Sequence, residues 1–101
     1  MIDIERNTYV VIRVNGTRET HTAPFRLDDI GRQIGAACLD AIILTKRRNQ
    51  ADLVMVVDDT GMIYGKPVNP EATRLYHEVR KPGTTYKIRG DVAILHDSEV
   101  R

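Results

Sequence analysis

A chain of 101 residues has the size of one domain, and such a chain buries roughly 60–70% of its unfolded surface, enough for one core without staples. With 42% hydrophobic and 29% charged residues, the composition excludes an intrinsically disordered chain. Lys and Arg number 15 against 14 Asp and Glu, and a net charge of +1 lacks the basic excess of a dedicated duplex-binding module.

The first residues, "MIDIERN", carry acidic groups and no apolar h-region, so no signal peptide is expected there. "TYVVIRV" (8–14) is rich in β-branched residues and predicts a strand. Asn15-Gly16 follows, the dipeptide suited to the positive φ angles of a tight hairpin turn, and "TRETHTA" predicts a more exposed return strand. "LDDIGRQIGAA" predicts a short helix: Asp28 and Asp29 complement its positive start, and Leu27, Ile30 and Ile34 form one apolar stripe. Gly35 marks its end or a close approach to a neighbouring strand.

"CLDAIILT" and "ADLVMVVD" are apolar runs without clean polar alternation, which predicts central strands with both faces at least partly covered. Between them lies "KRRNQ", the one basic triplet of the chain. "DDTG" has the residues of a β-turn, and "MIYG" is expected to return from it as a short strand. "NPEATRLYHEV" carries a helix start signal, with Asn69 as N-cap, Pro70 at the first helical position and Glu71 in the first turn. Ala72, Leu75, Tyr76 and Val79 share one face of that helix. "TYKIRGDVAIL" predicts a last strand with a bend at Gly90, and "HDSEVR" a frayed tail.

The order predicts an α+β fold: a mainly antiparallel, or mixed, sheet of about five to six strands with two helices packed on one face. The whole chain, 1–101, is expected to be a single domain with a core from about 8 to 95 and a tail at 96–101. Phe25 and four tyrosines are the only aromatic residues, so the core must be aliphatic. Cys38 stands alone, which excludes an internal disulfide and fits a reducing compartment. No run of about 18 apolar residues occurs, so no membrane partner is expected and the expected location is the cytoplasm.

Chemistry-bearing motifs are sparse. His21, His77 and His96 lie on unlike elements, none at a metal-binding helical spacing, and no metal or cofactor is expected. Asp58 and Asp59 diverge if the chain there is extended, and turn chemistry accounts for both. No phosphate-loop, dinucleotide or nucleophile-elbow pattern is present, and no catalytic residue is assigned. The candidate binding residues are Lys46, Arg47, Arg48 and Asn49 in the basic loop. Tyr64, Lys66 and Asn69 in the crossing from sheet to helix join them, with Arg74 on the basic side of the second helix. A crossing that ends at a helix start offers amide groups to an anion; it serves equally as plain connection.

Across "DLVMVVDDTGMIYGKPVNPEATRLY" and "IRGDVAIL" the chain resembles a family of small phage and plasmid proteins, the domain of unknown function 3846. The matching positions are Gly35, Val57, Asp58, Gly61, Gly65, Pro67, Asn69, Ala72, Thr73, Gly90 and Val92, and the likeness runs roughly from Thr8 to Leu95. "KRRNQ" departs from the pattern, being longer and more basic. The resemblance implies a mobile-element origin and supplies no catalytic residues. By association it implies a protein that disables a host defence complex by binding it.

Three functions are therefore weighed. The first is a non-enzymatic binding protein acting on a host protein, most directly through Lys46–Arg48 and the Tyr64–Asn69 crossing. The second is a module that sequesters a nucleotide or similar anion at the Asn69 helix start, or between the protomers of a homodimer favoured by small size and apolar edge strands. The third is a nucleic-acid accessory protein using the basic loop, Arg74, His77, Arg80 and Lys81, with Tyr64, Tyr76 and Tyr86 stacking on bases.

Overall fold

A computed structural model of the chain describes residues 4–45, 52–61, 64–80 and 82–99. The described strands are β1 (Thr8–Ile12), β2 (Arg18–Thr22), β3 (Leu39–Thr45), β4 (Leu53–Asp58) and β5 (Val92–His96). Two helices, α1 (Leu27–Ile34) and α2 (Pro70–Glu78), and a closing 3-10 turn at Asp97–Glu99 complete the set. All five strands join one antiparallel sheet in the order β2-β1-β5-β4-β3, which bears out the α+β class. Among the described strands β2 and β3 are its edges, so β3 is not the central strand expected of it, and Ala41 and Ile43 are exposed.

The hairpin from β1 to β2 forms where Asn15-Gly16 places it, with a different turn. Gly16 N–H donates to Arg13 O at 2.9 Å and Arg13 N–H to Thr17 O at 2.8 Å, leaving three residues in the loop. Gly16 alone takes a positive φ, +91°, and the Asn15 side chain accepts from Thr17 N–H at 2.9 Å. A type I turn closed by a left-handed glycine explains both observations.

The helices lie on opposite faces of the sheet, which corrects the expectation that both roof one face. Ile30 and Ile34 of α1 pack with Tyr9, Val11, Val54, Val56, Ala93 and Leu95. Ala72 and Leu75 of α2 pack with Ile12, Leu53, Met55, Val57, Val92 and Ile94. Alternate residues of β1, β3, β4 and β5 thus feed two separate cores. Every residue of β4 and β5 is buried, and a strand without a polar face must be covered twice. With only two helices, each has to take one face.

Local signals set the helix ends. Asp29 reaches back to accept from Arg26 N–H at 2.8 Å at the start of α1. Gly35 ends that helix in the left-handed region at φ +65°, its N–H turned back on the last carbonyls. Gly31 lies under Leu39, whose Cδ1 sits 3.4 Å from where a Cβ would stand, so α1 comes close to the start of β3.

Two further expectations are corrected. Tyr64 and Gly65 form a turn and not a strand, while Met62 and Ile63 lie outside the described residues. His96 belongs to β5, buried at 4% exposure, with its Nε2 at 2.7 Å from Ile4 O, so the frayed tail does not begin there. Ile4 itself joins the α2-side core, and this contact ties the two ends of the chain together.

At the opposite end, Arg13 clamps three elements. Its guanidinium holds Glu19 by two parallel bonds of 2.8 and 2.9 Å, Asp91 at 3.0 Å and the carbonyl of Gln33. Arg13 in turn keeps the Glu19 carboxyl below its ordinary range. Among the described residues no helix is long and apolar enough to cross a membrane.

Candidate functional site

The chain from β4 to α2 is where the sequence crowds its turn formers, and the structure gives each one a task. Asp58 ends β4 with its side chain 1% exposed. One carboxylate oxygen accepts from Thr60 N–H at 3.0 Å and Thr60 Oγ1 at 2.7 Å, the turn chemistry expected of it. The other faces the ammonium of Lys66 at 2.7 Å, a charge contact without well-aligned hydrogen-bond geometry. Lys66 also donates to the carbonyl of Gly35 at 2.8 Å, so one side chain joins the end of β4 to the end of α1. Burial alone pushes the Asp58 carboxyl up; the Lys66 ammonium beside it and donation from Thr60 outweigh that and hold Asp58 well below the usual carboxylate range.

Gly90 makes room for that lysine. Its φ is +81°, and a Cβ there would lie 2.9 Å from Lys66 Cδ. Gly35 has a comparable φ with open space around it. Substituting Ala at Gly35 is therefore expected to cost about 1 kcal/mol, the strain of a left-handed residue. At Gly90 the same change is expected to cost about 2 kcal/mol or more, because the lysine stem must also shift. Urea denaturation of the two variants checks that order.

Asn69 is fully buried, and each polar atom of its side chain is engaged. Its Oδ1 accepts from Ala72 N–H at 3.0 Å, capping α2 as the sequence predicts. Its Nδ2 donates to Ile12 O at 3.0 Å and Gly90 O at 2.9 Å, bonding the helix start to β1 and to the approach of β5. The crossing is also zipped to residues 88–90: Asn69 N–H donates to Ile88 O, Gly90 N–H to Pro67 O, and Arg89 Nη1 to Lys66 O at 3.0 Å. Val68 and Arg89 form an isolated bridge.

This arrangement bears on an anion site at the helix start. Ala72 N–H is bonded to the Asn69 side chain, Thr73 N–H to Asn69 O, and Pro70 has no N–H. Glu71 adds a negative charge in the same turn. The amides of Ala72 and Thr73 are thus engaged within the chain.

The other candidate residues are dispersed. Lys46, Arg47, Arg48 and Asn49 lie outside the described residues, as does Lys81. Arg74 is paired with both Glu71 and Glu78, and Glu71 is paired in addition with Arg18 at 2.8 Å. Arg74 holds the Glu71 carboxyl below its ordinary range. Arg80 lies over the Tyr76 ring at 4.8 Å, and His77 Nε2 meets Tyr86 O at 2.6 Å. The basic side of α2 is thus engaged within its own chain. His21 stacks on Tyr9 with ring centroids 4.8 Å apart. Among the described residues no three His, Cys, Asp or Glu side chains gather into a metal-holding set.

Among the described residues Tyr64 and Tyr86 are the most exposed large hydrophobic residues, at 69% and 53%. Tyr64 closes the turn after β4, with its N–H on Thr60 O, and Tyr86 borders the same turn beside Asp59 and Gly61. Behind Tyr86 stands the half-buried Tyr76, edge-on at 5.7 Å. Sequence reading named Tyr64, Tyr76 and Tyr86 together as candidates for base stacking; nothing local says that Tyr86 adjoins Asp59 and Gly61.

No family model, no curated protein and no solved structure matches this chain. The family resemblance thus stands on its own positions. Those the structure explains act through the backbone or the crossing: Gly35, Gly65 and Gly90 take positive φ, Asn69 caps α2, and Asp58 anchors Lys66.

Proposed function

We propose that this chain is a non-enzymatic binding protein that works through protein–protein contacts, with Tyr64 and Tyr86 at the centre of its docking surface. The observation that carries this reading is two exposed tyrosines flanking a turn held on both sides. Tyrosine is enriched among residues that dominate binding energy, because its large ring loses little rotamer freedom and its hydroxyl still bonds. The crossing beneath is fixed by Asp58–Lys66 and by Asn69, so little ordering is left to oppose association. The resemblance to phage and plasmid proteins makes a host protein in the host cytoplasm the partner class, an inhibited defence complex foremost.

The test is affinity capture from host lysate by the tagged chain, run beside a Tyr64→Ala, Tyr86→Ala double variant. Both side chains are exposed, so the variant should fold normally by circular dichroism. A partner retained by the wild type and reduced at least about tenfold with the variant supports the reading. Equal retention by both, or none by a folded wild type, overturns it.

A further inference from the structure

Among the described residues the two edges of the sheet, β2 and β3, differ in chemistry. β2 reads Arg-Glu-Thr-His-Thr, and charged residues blunt an edge against strand addition. β3 instead carries Ala41, Ile42, Ile43 and Leu44, with Ile43 42% exposed on the α1 side of the sheet and outside the core cluster that α1 forms. Strand residues send their backbone groups alternately to either side. Cys38 O accepts from Asp59 N–H just past β4, so the N–H and C=O of Ala41 and Ile43 face away from the sheet. Two side chains of the same chain rest on them. Asp40 Oδ1 accepts from Ala41 N–H at 2.9 Å, and Arg80 Nη2 approaches Ile43 O at 3.5 Å, the limit of a hydrogen bond. Along this edge Ala41, Leu44, Val79 and Arg80 help frame an open groove of about 590 Å³.

We propose that this groove receives β3 of a second copy of the chain. The two strands run antiparallel about a two-fold axis at Ile42, and the five-stranded sheet is doubled into one continuous sheet. In this register Ala41 of each copy exchanges backbone bonds with Ile43 of the other, and the exposed Ile43 side chain packs across the seam on Ala41. Asp40 shares the α2 side of the sheet with Ile42 and Leu44, by the alternation of the strand. A two-fold axis normal to the sheet keeps both α2 helices on that side, which brings Asp40 of one copy beside Arg80 of the other. This complementarity selects a second copy over a foreign strand: the two residues that rest on the edge of a single chain become two reciprocal ion pairs. The inference is independent of the tyrosine surface.

Size-exclusion chromatography with light scattering, run on the full chain over a wide concentration range, tests it. The wild type is expected at the mass of two chains. Ile43→Lys, at an exposed position, is expected at the mass of one, folded by circular dichroism. Asp40→Arg and Arg80→Asp should each weaken self-association by roughly tenfold or more, and the double charge swap should restore it. A wild type that stays single at all concentrations overturns the proposal, as does a dimer indifferent to Ile43→Lys. Failure of the double swap to restore association overturns the assigned register.

Discussion

Replacing Asn69 with Ala is expected to lower the unfolding free energy by about 3 kcal/mol, a large share of the stability of a domain this size. Losing the cap on α2 accounts for about 1 kcal/mol. The remainder comes from Ile12 O and Gly90 O, two buried carbonyls deprived of the Nδ2 donor, at about 1 kcal/mol or more each. Asn69→Asp separates the two roles. The carboxylate still caps Ala72 N–H, yet it turns a negative charge toward two carbonyl oxygens where the amide donated. That variant is therefore expected to be at least as destabilised as the Ala variant at neutral pH. It should recover in part in acid, where a protonated carboxyl donates again. Denaturant midpoints of both variants at pH 7 and pH 4 are the measurement; near-wild-type stability of either would remove Asn69 from its role as the joint between helix and sheet.

Lys66→Met is the second large effect, about 2–4 kcal/mol at neutral pH, because it leaves the buried Asp58 carboxylate without its counter-charge. The reverse change, Asp58→Asn, should lose less: the Lys66 side chain is 24% exposed and can turn to water. The pH dependence carries a definite sign. In the folded wild type the Asp58 carboxyl lies below its unfolded value. Its contribution is complete above about pH 4, the unfolded value, and is lost as pH falls through the folded one. Without Lys66, burial acts against the remaining Thr60 donors, and Asp58 takes up a proton at higher pH than in the wild type. The stability gap between wild type and Lys66→Met should then narrow as pH drops from 7 through about 4. Urea unfolding across that range reads it directly, and a gap that widens in acid would contradict the assignment.

These two joints show how differently the residues speak. Asn69 as an N-cap was legible, since Asn-Pro-Glu ahead of an apolar face is a start signal needing only neighbours. Its second role was not, because Ile12 lies 57 positions away and only the fold brings that carbonyl to it. Asp58 was read as a turn residue, and its Thr60 bonds agree; the Lys66 pairing had no local mark. The clamping role of Arg13 has no local mark, because its carboxylate partner Asp91 is 78 positions distant. The expectation about the helices failed for a related reason. The apolar runs of β3 and β4 announced strands covered on both faces, but the helical stripes do not say which face each helix takes.

The positions of β1 to β4 and of both helices, the Gly35 and Asn69 ends and the antiparallel character could be inferred from residues close in the chain, because periodicity, capping and turn chemistry act over a few neighbours. Sheet order, the placement of one helix on each face, the Asp58–Lys66 pair and the approach of Tyr86 to Asp59 and Gly61 could not. Each of these joins groups distant in sequence, and packing of the whole chain selects the partners.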